Sequence, residues 1–203
     1  MSSGPKQMRR LSVQLIRALR LPSDGQDVIP AIGQALTRVR GRTVRLRAAA
    51  FPPATASGVW IDRTDHDLIA YEKNTDPEHQ LVIIGHEAWH MFQGHCGTGV
   101  GHGPPAASRA DGRKAAVWVE LRAMLSALVA DTGEPAAERM DIDLHFAART
   151  DDRELQEELE AERFGFRFAT DVRSAQDKAR EPGDPHHLAG RIQASMAHRF
   201  KQD

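Results

Sequence analysis

Residues 76–94 spell a helix that has to be buried, and this is the tightest constraint the chain places on its own fold. Asp76 is a suitable N-cap, Pro77 a suitable first helical residue, and Glu78 suits the positive end of the helix dipole. Gly94 supplies the stop. Between them Leu81, Val82, Ile83, Ile84, Ala88, Trp89, Met91 and Phe92 lie almost all round the circumference. A helix without a polar face cannot rest on a surface, so other elements must cover it on several sides. Yet His86, Glu87 and His90 interrupt the same apolar run. Burying three such groups is costly unless they serve one purpose.

The run His86-Glu87-Ala88-Trp89-His90 supplies that purpose. Histidines four apart share a helix face, with β-carbons about 5–6 Å apart. Two neutral imidazoles can then bind one Zn²⁺ at ~2.0–2.1 Å. Glu87 is offset by about 100° around the helix, a spacing that follows from 3.6 residues per turn. It can act as general base toward a water activated by the metal without being a ligand itself. A catalytic site of this type needs a third protein ligand and leaves the fourth position for water. His95 follows His90 by five residues, whereas the long zincin signature places Gly three and His six residues on, so that class does not fit. His95, Cys96 and His102 remain candidates to line the site. A carboxylate on the acidic stretch Glu157–Gly165 is the better third ligand. There Ala161 and Gly165, four apart, leave a flat stripe for close approach of another helix; Glu158 and Glu162 share the stripe and Glu160 points away. The third ligand is therefore Glu158 or Glu162. His145 and Arg149 could steady a tetrahedral intermediate, and Tyr71 could border the cleft. Trp60 and Trp89 read as core.

Helical periodicity places an amphipathic helix over residues 6–20 on Met8, Leu11, Leu15 and Leu19, and a second from Asp27 to Val39, ended by Gly41. From Thr43 the period changes to two: Val44, Leu46 and Ala48 alternate with Arg45 and Arg47 in a strand ending near Phe51. Val59–Ile61 and Leu68–Tyr71 follow as short strands around a polar turn, giving a small antiparallel sheet. Gly97–Gly112 reads as a loop and Ala115–Ala130 as a helix. Thr150–Asp151 can cap an acidic helix of about 22 residues running to Arg173. A last helix falls near Leu188–Phe200. The expected class is α+β, a small antiparallel sheet on a mostly helical, zincin-like domain. The expected division is a basic helical arm over 1–41, the metal-binding domain over 42–175, and a helical extension over 176–203.

Charge and cysteine usage narrow the setting. Residues 1–50 hold ten Lys/Arg against two Asp, while the remainder holds 17 Lys/Arg against 26 Asp/Glu. A basic tract with no aromatic until Phe51 lacks a stacking platform for bases, which favours neutralisation between the two parts over a nucleic-acid arm. The single cysteine, Cys96, allows no internal disulfide and suits a reducing cytoplasm. Gln14, Arg17 and Arg20 interrupt the N-terminal apolar residues, so neither a secretory signal nor a membrane anchor is expected.

Taken with the HExxH run, the segment Glu158-x-x-Ala161-x-x-Phe164-Gly165 resembles the ImmA/IrrE group of small zinc metallopeptidases, whose later helix reads Glu-x-x-Ala-x-x-Phe-Ala. An overlapping match, Glu162-x-x-Gly165-x-x-Phe168-Ala169, keeps Glu162 in play; retention of the Ala favours Glu158. The resemblance implies that this glutamate is the third ligand of one zinc ion. Gly58-Val59-Trp60 and Gly94-His95-Cys96 resemble a subgroup often labelled as toxin components of toxin–antitoxin pairs, or as regulators encoded beside a helix-turn-helix repressor. The likeness covers about residues 40–173 and implies an endopeptidase that cleaves such a repressor or antitoxin. A module that holds metal and docks its regulator without cutting it is the alternative. The chain departs from the family in its longer Gly97–Arg149 segment and in lacking the apolar, proline-ended stretch after the glutamate helix.

Overall fold

The computed structural model describes residues 4–22, 26–53, 55–94, 119–121, 123–127 and 152–180. These form helices α1 (Pro5–Ala18) and α2 (Ile29–Arg40), strands β1 (Val44–Ala49), β2 (Gly58–Asp62) and β3 (Asp67–Glu72), and helix α3 (Pro77–Gln93). A short helix α4 (119–121 and 123–127) and a long α5 (Asp152–Arg180) complete the set. The fold is α+β. The expected loop over 97–112, the cap at Thr150–Asp151 and the helix over 188–200 lie outside the described residues, as does most of the helix expected over 115–130.

The sheet corrects one expectation. It is mixed rather than antiparallel, with strand order β1-β3-β2. β2 and β3 pair antiparallel with Trp60 opposite Ile69, but β1 runs parallel to β3 with Leu46 opposite Ile69. The physical reason lies in the strands themselves. Leu68, Ile69 and Ala70 of β3 are wholly buried, which suits a central strand covered on both faces. β1 carries Arg45 and Arg47, both half-buried, and such a strand belongs at an edge. Alternation reveals which face of a strand is apolar but not which neighbour it pairs with.

Two apolar layers enclose this sheet. On one face Val44, Trp60, Ile69 and Tyr71 join residues of α1, α2, α3 and α5 in a single cluster. On the other, Val59, Ile61, Leu68 and Ala70 pack against Leu121 and Leu125 of α4. The span expected as an N-terminal arm thus contributes Met8, Leu11, Leu15, Ile32 and Leu36 to the main core. Its basic residues also pair with later acids: Arg40 Nε is 3.0 Å from Asp67 Oδ2, and Arg42 Nη1 is 2.9 Å from Asp62 Oδ1. Asp67 is itself buried at the start of β3 and also accepts the Trp60 indole N–H at 3.0 Å. One carboxylate therefore ties the end of α2 to two strands.

α5 is 29 residues long and runs past the expected end at Arg173, because no Gly or Pro follows until Pro182. Arg173 meets Glu78 at 2.6 Å and Ser12 Oγ donates to Asp171 Oδ2 at 2.6 Å, anchoring α5 to α3 and α1. Among the described residues no helix is long and apolar enough to cross a membrane.

Candidate metal centre

The site begins with the caps of α3. Asp76 Oδ1 accepts the His79 backbone N–H at 2.9 Å, and Gly94 closes the helix in the left-handed region at φ 66°. Between these ends Trp89 is fully buried against Phe164 of α5, with ring centroids 5.0 Å apart. This rotational setting fixes which face carries His86 and His90.

α5 crosses that face at close range, antiparallel to α3. The contact is glycine on glycine: a Cβ on Gly85 would stand 3.0 Å from the Gly165 Cα, and one on Gly165 would stand 2.6 Å from the Val82 carbonyl oxygen. Two turns before Gly165, Glu158 reaches both histidines. Its Oε1 is 3.2 Å from His90 Nε2, its Oε2 is 3.4 Å from His86 Nε2, and the two Nε2 atoms are 3.1 Å apart. Atoms bound to one tetrahedral ion at ~2.0–2.1 Å lie about 3.3 Å from each other. The three side chains therefore fit a single cation, and this is the one group among the described residues that could hold a metal ion. No family model, curated protein or solved structure matches the chain.

Glu87 stands beside this group without joining it. It is half-buried, and its carboxyl is raised above the ordinary 4.5, first by burial and then by the charge of Glu158. His86, His90 and the Trp60 backbone N–H pull in the opposite direction. The base proposed from sequence is thus a half-buried carboxylate next to two imidazoles, with β2 packed against it at Gly58.

Other candidates fall elsewhere. Glu162 is exposed on α5 and outside the group. Glu160 is also outside it but is buried, accepting from Gln156 Nε2 at 3.4 Å, rather than solvated on an open face. Tyr71 lines a cleft of about 540 Å³ between α2 and β1, with Asp27, Thr37 and Arg38, and none of the four α3/α5 site residues borders that cleft. Burial, then the charge of Asp27, raises the Tyr71 phenol. His95, Cys96, His102, His145 and Arg149 lie outside the described residues. Gly58 entered the sequence reading only through the Gly58-Val59-Trp60 resemblance, with no role of its own; Gly85 was passed over, its only signal a missing side chain within an apolar helix, and Asp67 looked like part of a polar turn.

Proposed function

We propose that the chain is a zinc-dependent endopeptidase that hydrolyses a protein partner, with His86, His90 and Glu158 as ligands and Glu87 as general base. The observation that supports this best is the meeting of three donors, from helices far apart in sequence, at 3.1–3.4 Å around one point with a fourth, non-ligating carboxylate alongside. Two imidazoles and a carboxylate are a donor set that suits zinc. When bound there, zinc supplies Lewis-acid polarisation of a carbonyl and brings the pKa of water in contact with it to about 7. The Glu87 carboxylate takes the proton of the attacking water and delivers it to the amine of the broken peptide bond. Burial raises its proton affinity, which favours the step in which it takes a proton.

β2 offers a track for an extended peptide. It is an edge of the sheet among the described residues. Glu72 N donates to Ser57 O and Arg63 N to His66 O, so by antiparallel alternation the backbone groups of Gly58, Trp60 and Asp62 face away from β3. They face outward on the strand whose Gly58 lies against Glu87. An incoming strand laid along this edge passes beside the base. The partner, in keeping with the resemblance to the ImmA/IrrE group, is a helix-turn-helix repressor or antitoxin.

Co-expression with the protein encoded by the neighbouring gene, followed by intact-mass spectrometry, tests the reading. Wild type should produce defined fragments, and Glu87→Gln should reduce their rate by about 10²–10⁴, the contribution of a positioned base. Equal behaviour of the two proteins would instead support a module that docks its regulator without cutting it.

A further inference from the structure

We propose that Gly58 is a positioning residue: its missing side chain seats the Glu87 carboxylate over β2, an inference that rests on Glu87 being the general base. Gly58 sits in an ordinary strand, and its φ is not among the positive values, which belong to Gly41 and Gly94. Alanine could adopt the same backbone, so conformational freedom is not what this position needs. Space is. A Cβ at Gly58 would stand 2.5 Å from Ile83 Cγ2, 2.8 Å from Glu87 Oε1 and 3.0 Å from Glu87 Cγ.

The two neighbours differ in how they can yield. Ile83 is buried in the core and β-branched, so its γ-methyl sits close to the helix backbone in a stiff rotamer. The Glu87 carboxylate ends a flexible chain, so it yields by rotating away from the strand. Rotation draws the carboxylate away from β2. β2 therefore serves Glu87 by leaving room at Gly58. The register that lays Trp60 opposite Ile69 lays Gly58 opposite Tyr71, so the opening lies at the end of the strand.

The competing role for Gly58 is to let β2 pack on Ile83, with no effect on Glu87. The test separates the two with full-length Gly58→Ala, Ile83→Ala and Gly58→Ala/Ile83→Ala proteins, the double variant removing the 2.5 Å conflict and keeping the one with Glu87. Each is labelled with ¹³C at the glutamate carboxyls, the Glu87 resonance being identified by its loss in Glu87→Gln. In the metal-free double variant the Glu87 resonance should move from its position in Ile83→Ala, while zinc binds within a few-fold of the Ile83→Ala affinity. Hydrolysis of denatured, fluorophore-labelled casein should fall about tenfold or more, a loss of about 1.4 kcal/mol or more in transition-state stabilisation. A Glu87 resonance unmoved in the double variant would overturn the role of Gly58. Failure of the wild type to hydrolyse casein would count against the peptidase reading alone, since the resonance reports the seating of Glu87 without turnover.

Discussion

Glu87 is pulled in two directions, and the balance gives it a measurable pH signature. Burial and Glu158 raise its proton affinity above the ordinary 4.5, so in metal-free protein the folded state keeps this proton at pH values where the unfolded chain has released it. Stability contributed by that difference is present at low pH and is lost as pH rises through the raised value. Glu87→Gln mimics the protonated form. Metal-free Glu87→Gln should therefore be more stable than metal-free wild type at pH 7, with the gap closing toward pH 4, as urea titrations across that range would show. A constant gap would mean the carboxyl is not perturbed. At the same scale, Asp67→Ala strands the buried Trp60 indole N–H and frees Arg40, and should cost about 1–3 kcal/mol for the unsatisfied donor alone.

At the scale of elements, the decisive event is how α3 and α5 slide against each other. Gly85 and Gly165 let the two backbones touch, and that contact sets which turn of α5 faces the histidines. Gly165→Ala would place a methyl 2.6 Å from a backbone carbonyl, which cannot swing aside as a side chain can. We expect a stability loss of about 1–3 kcal/mol by overpacking, together with weaker zinc binding because Glu158 moves with α5. Thermal melts with and without zinc check both effects. This contact also explains what the sequence could not resolve. Glu158 and Glu162 occupy the same small-residue pattern, differ by about 40° in direction and one turn in height on an ideal helix, and are told apart only by the longitudinal register of two helices. The histidine face was legible because caps and spacing are local: Asp76, Pro77 and Gly94 fall where the pattern requires. The parallel pairing of β1 was not, because nothing within Val44–Ala49 records which strand lies beside it.

For the molecule as a whole, one apolar cluster runs from α1 through the sheet face to α3 and α5, so the metal group is built on the main core rather than at its margin. Binding at such a site must stabilise the entire fold. Zinc at a hundred times its Kd should add about 2.7 kcal/mol, and a chelator should remove it. Which side chains hold that ion is the central question, and metal content per chain after dialysis reads it directly. One equivalent of zinc is predicted for wild type, Glu87→Gln and Glu162→Ala, with strong loss in His86→Ala, His90→Ala and Glu158→Ala. A Glu158→Ala protein that keeps its full equivalent, or a wild type that binds none, would contradict it.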